Sequence, residues 1–367
     1  MSLPHLFAPL TIKSVTLRNR IGVSPMCQYW ATDGLPSDWH LVHLGSRAVG
    51  GAALVIAEAS AVTPHGRITP QCAGIWSDTH VDAWARVAKF VKEYGAVPAI
   101  QIAHAGRKAS VSRPWEGDKH LTDAEGGWQP IGPSPINFGG KDNRLWRVPT
   151  EMTVTEIATA QQQFVAAAHR ALAAGFDWLE LHFAHGYLAH SFMSPLSNQR
   201  TDNYGGSLAN RMRFALETAR AVRAVWPESK PLAARISTTD WAAGGWTIEE
   251  SVELSRQLLA AGVDLIDCSS GGGTEKGNYP VGSGWQVPHA ERIRRETGAL
   301  TAAVGKITDP AQADQIIRTG QADLVLLATK MLDDPYWAFH AARALRQLPA
   351  LPMPPPYDSV IRTETRK

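Results

Sequence analysis

The chain has 367 residues, 44% hydrophobic and 19% charged, with 36 Lys and Arg against 34 Asp and Glu for a formal net charge of +2. That balance argues against nucleic acid or an anionic membrane as the main partner, and the length suits one large barrel or two domains. Three scattered cysteines, Cys27, Cys72 and Cys268, make neither a disulfide framework nor an iron–sulfur motif.

Residues 1–9 lack a basic region followed by an apolar run, and no stretch is apolar enough to span a bilayer, so a cytoplasmic location is expected. Residues 10–20 alternate apolar and polar around a short turn, as in a hairpin capping something larger. From there one theme repeats. Apolar, β-rich runs at 20–26, 53–59, 97–103, 178–184, 232–238, 264–269, 300–305 and 323–328 alternate with helical patterns at 38–50, 79–94, 153–175, 210–226, 248–262, 288–297, 310–319 and 335–347. Ser77-Asp78-Thr79, the Thr153–Glu156 capping box and Asp309-Pro310 mark helix starts, while Gly95, Gly175, Gly262 and Gly320 mark helix ends.

This alternation predicts an α/β chain folded as one (β/α)8 TIM barrel over 1–367, with the N-terminal β-hairpin as a cap. An open doubly wound sheet is the alternative, weakened by the lack of Gly-x-Gly-x-x-Gly after the first strand. Residues 106–150, rich in Gly, Pro and Trp and including Pro133-Ser134-Pro135 and Phe138-Gly139-Gly140, break the rhythm after the third strand and predict a long lid loop over the mouth. Gly271-Gly272-Gly273 reads as a flexible loop. The proline-dense residues 351–367 predict an extended C-terminal tail, loose or docked on a neighbour.

The fourth strand carries the densest chemistry. Leu179 and Leu181 face one way, Trp178, Glu180 and His182 the other. His182 and His185 are three apart, so both serve one pocket only if the strand ends near Phe183; Gly186 then permits a tight bend before Tyr187. Three readings compete: structural histidines, a metal site short of ligands, and a polar pair that binds a substrate oxygen beside a Tyr general acid. Elsewhere, alternation turns Gln101 and Arg235 toward the barrel interior, where an amide and a guanidinium suit a planar, heteroatom-rich group such as an isoalloxazine. The bland alternative is a buried Arg235–Glu180 pair.

Several motifs resemble the Old Yellow Enzyme family: Ser-Pro-Met-Cys-Gln-Tyr at 24–29, Gln-Ile-Ala-His-Ala-Gly-Arg-Lys at 101–108, His-Phe-Ala-His-Gly-Tyr-Leu at 182–188, Ser-Pro-Leu-Ser-Asn-Gln-Arg-Thr-Asp-Asn-Tyr-Gly-Gly-Ser at 194–207, and Asn210-Arg211. Cys27 and the His-x-x-His form point to its thermophilic-like bacterial ene-reductases, such as the xenobiotic reductase A-like proteins. The resemblance runs in order from about residue 4 to the tail and implies an FMN-binding barrel using NADPH or NADH. It implies that Ser24, Pro25, Met26 and Cys27 line the flavin, with Cys27 tuning its potential. Ala59 and Gln101 would contact the pyrimidine side, and Arg235 would meet negative charge on the reduced ring. His182 and His185 would hold a carbonyl oxygen, Tyr187 would protonate the α-carbon, and Tyr29 would close the pocket. Gly305, Lys306, Ala328 and Thr329 would lie at the FMN phosphate.

The chain departs from the family pattern at two places. Thr329 stands where relatives carry an Arg for the phosphate, and the tail after Tyr357 does not match the segment that some relatives send into a neighbour's active site. A nucleophilic role for Cys27 lacks a base partner; His104 and His190 read as structural, and Trp285 as a residue that can touch substrate. The implied activity is reduction of small activated alkenes by a homodimer or homotetramer, with no metal. Another flavin barrel reductase of xenobiotics or nitro compounds and a metal-dependent barrel hydrolase are the alternatives.

Overall fold

A computed structural model describes residues 5–139 and 146–364; Gly140 of the lid and the last three tail residues lie outside them. Eight parallel strands follow one another around a closed barrel: Ile21–Val23, Leu54–Ala61, Val97–Ala103, Trp178–Phe183, Leu232–Ser237, Leu265–Ser269, Leu300–Ala303 and Leu324–Leu327. The eighth pairs with the first, Val325 beside Ile21 and Leu327 beside Val23. Each run expected to be a strand is one, and closure decides against the open sheet. The strands are rich in Val, Ile, Leu and Ala because both faces are covered.

The interior is layered. Leu54, Ile56, Ala99, Trp178, Ala233, Leu265, Ala302, Leu324 and Leu326 pack into one apolar cluster toward the strand starts. Ile12 and Leu17, from the antiparallel strands Leu10–Ile12 and Val15–Leu17, join it, so the expected hairpin closes the floor. Polar side chains are thereby left to the upper half of the barrel.

Helix starts follow side-chain chemistry. Thr153 Oγ1 accepts from Glu156 N at 3.2 Å while Glu156 Oε2 accepts from Thr153 N at 2.8 Å, and Asp309 Oδ1 accepts from Ala311 N and Gln312 N. The helix Thr79–Glu93 departs from expectation: Asp78 makes no cap, its carboxylate reaching Arg170 at 2.8 Å, and His80 Nδ1 accepts from Ser77 N at 3.2 Å. Two short helices, Leu188–Met193 and Thr329–Asp333, follow the fourth and eighth strands; each is under two turns, too brief to show a helical period.

The long excursion after the third strand crosses to other loops as a lid does. Arg200 donates to Pro133 O at 3.0 Å and Met152 O at 2.6 Å, and Gln199 N donates to Ser134 Oγ. The tail corrects an expectation. Instead of staying extended, it forms a helix over Pro355–Glu364. Prolines at a helix start lack only an N–H that would go unused there, and their fixed φ suits the first turn, so Pro355 and Pro356 begin a helix rather than prolong an extended run.

Candidate active site

The fourth strand ends at Phe183, as a shared pocket for His182 and His185 requires. His185 takes a left-handed φ of 60° and Gly186 one of 74°, turning the chain sharply. Such a conformation costs about 1–3 kcal/mol for a non-glycine residue, so neighbours must hold it. His185 N donates to Ser237 Oγ at 2.8 Å, and Lys108 Nζ donates to His185 O at 3.0 Å. A Cβ on Gly186 would meet Gly272 O at 2.1 Å, which leaves only glycine at this contact.

The turn brings three rings together. The His182 centroid lies 5.1 Å from that of His185 and 5.0 Å from that of Tyr187, both edge-on. Burial, then the Arg235 charge, holds both imidazoles well below their usual range, so each is neutral and keeps one N–H to donate. His182 Nδ1 accepts from Ala184 N at 3.4 Å, placing its ring proton on Nε2. His185 Nε2 lies 2.7 Å from Ser269 Oγ, which leaves Nδ1 for a ligand. Burial pushes the Tyr187 phenol well up, so its O–H keeps its proton.

Ala59, Ala103, Cys72 and Tyr187 line one void of about 10 Å³, which sets Tyr187 beside the second and third strands. Burial, with Cys72 and Glu58, pushes the Cys27 thiol up against the opposing pull of Ala59 N–H and the Tyr29 hydroxyl. A thiol so held stays protonated, which removes the nucleophile reading. Tyr29, at φ 52°, packs edge-on to Trp115 of the lid at 6.1 Å.

Below the mouth, Gln101 Nε2 donates to Glu180 Oε1 at 2.8 Å and Arg235 Nη1 donates to Ser24 Oγ at 2.8 Å. The pairing of Arg235 with Glu180 is corrected: its ion partner is Asp267, Nε to Oδ2 3.3 Å. Arg235 lies in register with Asp267, whereas Glu180 lies beside Gln101 and Ala233. Asp267 was absent from the sequence reading, although its alternation with Ile266 and Cys268 carries the signal. Lys108 was missed too, and no periodicity marks a loop residue. Its Nζ sits 4.2 Å from the Phe138 ring centroid and 5.2 Å from that of Tyr187, and burial with the neighbouring Arg107 brings it down to about 8.

His104 and His190 are structural. His104 Nδ1 accepts from Gly106 N, and His190 Nδ1 accepts from Gly186 N at 2.8 Å while its Nε2 lies 3.2 Å from Asp240 Oδ1. His190 thus holds the turn that carries His185.

A cavity of about 740 Å³ opens beside this cluster. Ser24, Arg235 and Ser269 line one part of it, with Val304, Leu326 and Leu327 among its apolar walls; Gly305, Lys306, Ala328, Thr329 and Lys330 line the loops after the seventh and eighth strands. Trp285 lines it as well, its ring tilted by 39° against that of Trp241 at 5.8 Å.

The family model for NADH:flavin oxidoreductase / NADH oxidase matches residues 5–347. The chain belongs to this family, the Old Yellow Enzymes. It is 47% identical to an NADPH dehydrogenase of Geobacillus sp. (strain WCH70) over 93% of this chain and 94% of that one. It is 43% identical to an NADPH dehydrogenase of Bacillus subtilis (strain 168), over 96% and 98%. Morphinone reductase in complex with tetrahydroNAD superposes with a TM-score of 0.77 at 26% identity, over 96% of this chain and 93% of that one. This Old Yellow Enzyme is therefore an NAD(P)H:flavin oxidoreductase with FMN as cofactor.

The cavity fits FMN. Its volume lies within the ordinary range for ligand pockets, and the buried Arg235 Nε has no hydrogen-bond partner. Ser24, Arg235, Lys306 and Thr329 all line the cavity, so the first two would meet the ring and the last two the phosphate. Lys330 is less free, since its Nζ lies 2.6 Å from Asp333 Oδ2, whereas no ion pair among the described residues involves Lys306. Thr329 supplies a neutral hydroxyl where a charged, bidentate donor would contribute about 1 kcal/mol more. Thr329→Arg is accordingly expected to tighten FMN about fivefold and to raise the melting temperature only with FMN bound. Fluorescence titration of the apoprotein checks it; unchanged or weaker affinity would place the phosphate elsewhere.

Proposed function

We propose that this oxidoreductase is an ene-reductase that reduces the C=C bond of small α,β-unsaturated carbonyl compounds, with Tyr187 as proton donor. The observation that carries the reading is the triad of neutral His182, neutral His185 and proton-bearing Tyr187, ring centroids 5.0 and 5.1 Å apart. Two neutral imidazole N–H groups suit a carbonyl oxygen, which they polarise without giving it a full proton. Polarisation makes the β-carbon electrophilic, and the Tyr187 O–H protonates the α-carbon. FMN, held by the cavity lined by Ser24, Arg235, Lys306 and Thr329, would supply the hydride chemistry. Lys108, across Tyr187 and Phe138, keeps the lid against the donor turn, and Tyr29 packs on Trp115 at the mouth.

The metal-dependent hydrolase alternative has no support from a flavin family. Reduction of nitro compounds is the nearest competing activity, and it needs no carbon-directed acid, which leaves Tyr187 without a task. The expected result is that NADPH bleaches the flavin band without oxygen and that 2-cyclohexenone or a maleimide restores it, yielding the saturated product. Recovery with nitro compounds or quinones alone would overturn the reading.

A further inference from the structure

Two carboxylates lie in the closed barrel below the mouth, and the proposed reaction uses neither. Glu180 is 1% exposed and Asp267 is fully buried. Gln101 Nε2 donates to Glu180 Oε1 at 2.8 Å. Neither oxygen of Asp267 accepts a hydrogen bond; its ion partner, Arg235 Nε, approaches obliquely at 3.3 Å, and Arg235 Nη1 is committed to Ser24 Oγ. Buried carboxylates are ordinarily supplied with several donors, so an acid with none among the described residues is an anomaly that a bound proton relieves.

The surroundings set the charge count. Among the barrel strands, the first (Ile21–Val23), third (Val97–Ala103), seventh (Leu300–Ala303) and eighth (Leu324–Leu327) contribute no titratable side chain. On the second, Glu58 faces His40 at 3.2 Å and accepts from Gln28 N. His182 on the fourth is neutral, and the Cys268 thiol on the sixth is pushed up by burial and Asp267. The floor below is apolar, hairpin residues Ile12 and Leu17 included. Two acids therefore share one cation, Arg235. Fully ionised, the group carries a net charge of about −1 with both carboxylates buried; with one proton it is neutral, which burial favours by several kcal/mol.

We propose that Glu180 and Asp267 form a proton-binding site coupled to the charge of the flavin, taking up one further proton from solvent when the flavin is reduced. Arg235 lines the cavity that holds the cofactor and also faces Asp267, so both anions compete for one guanidinium. Two electrons and one proton reach the cofactor, which gains one negative charge. The second proton converts the remaining carboxylate to the acid and releases the Arg235 charge to face the ring. Burial pushes both carboxyls up, Glu180 further because Asp267 is near, while Arg235 pulls both down. The two sites titrate as a pair.

The test is the midpoint potential of the FMN-loaded protein against pH, which uses no alkene and so is independent of the ene-reductase reading. For a two-electron couple each proton taken up contributes about 30 mV per pH unit. Wild type is expected to fall by about 60 mV per pH unit over a window that lies above the ordinary carboxylate range, because burial pushes both acids up. Asp267→Asn should fall by about 30 mV per unit there and sit at a higher potential at the alkaline end. Glu180→Gln, the second variant should the first fail to hold FMN, should end the steep window at a lower pH. A wild-type slope of about 30 mV throughout, or a steep slope unchanged in both variants, would overturn the proposal, since the second proton would then be absent or carried elsewhere.

Discussion

Tyr187→Phe is expected to slow reoxidation of the reduced protein by an enone about 10²–10⁴-fold while leaving reduction by NADPH largely intact. The substitution keeps the ring that packs edge-on to His182 and lies beneath Lys108, so the turn and the lid contact survive. What is lost is one O–H, held protonated by burial at every working pH. A proton is needed only after hydride has reached the alkene, which confines the loss to the second half-reaction. Stopped-flow measurement of each half-reaction separates them. His182→Ala serves as the contrast: it should weaken binding of a phenol or enone as well, by up to about tenfold, because a neutral hydrogen bond to the ligand oxygen goes. If Tyr187→Phe altered only the reduction by NADPH, the proton would come from another donor, such as water.

Asp240→Ala is expected to destabilise the protein by about 3–5 kcal/mol. Asp240 and His190 are fully buried, and three partners converge on this one carboxylate. Ser194 Oγ donates to Oδ2 at 2.5 Å, Trp246 N donates to Oδ2 at 2.8 Å, and His190 Nε2 lies 3.2 Å from Oδ1. Alanine would strand the Ser194 and Trp246 donors and remove the carboxylate that faces His190 in a buried site. The damage reaches the active site, because His190 Nδ1 accepts from Gly186 N and so fixes the turn between His185 and Tyr187.

Burial disfavours the ionised carboxylate, but His190, Ser194 and the Trp246 N–H outweigh it and hold Asp240 at about 2 against an ordinary 3.8. A lowered carboxylate contributes stability that is complete above the unfolded value and is lost as pH falls through the folded one. Between about pH 4 and pH 2, wild type should therefore lose about 2 kcal/mol more than Asp240→Asn. Urea unfolding at each pH gives both numbers. An unfolding midpoint for Asp240→Ala equal to that of wild type would show that the carboxylate does not hold this corner together.

Much of the fold was legible because its signals are local. Each strand run is a short apolar segment bounded by helix-ending glycines or capping residues, and alternation within it says which side chains face inward. That was enough to turn Gln101 and Arg235 into the barrel. The His-x-x-His-Gly-Tyr run likewise stated its own condition, a strand ending near Phe183, and the structure meets it. Where local signals were ambiguous, the reading failed: a Pro-rich run suits both an extended tail and a helix start, and the tail took the second.

What the chain could not show by itself was which inward-facing groups meet. Arg235 was equally free, by alternation, to pair with Glu180 or with Asp267, and the stagger between neighbouring strands decided it by setting Asp267 beside Arg235 and Ala233 beside Glu180. The loop contacts are of the same kind. Lys108 reaches His185 across 77 positions, and His190 reaches Asp240 across the junction of the fourth and fifth units. By themselves, the residues determined the eight-fold alternation, the polar upper interior and the chemistry gathered at the fourth strand. Only the closed barrel decided the ion pairs, the neutral state of the two imidazoles and the upward push of burial on Glu180 and Asp267, because desolvation and Coulomb energy depend on distances that strand stagger and loop crossing set.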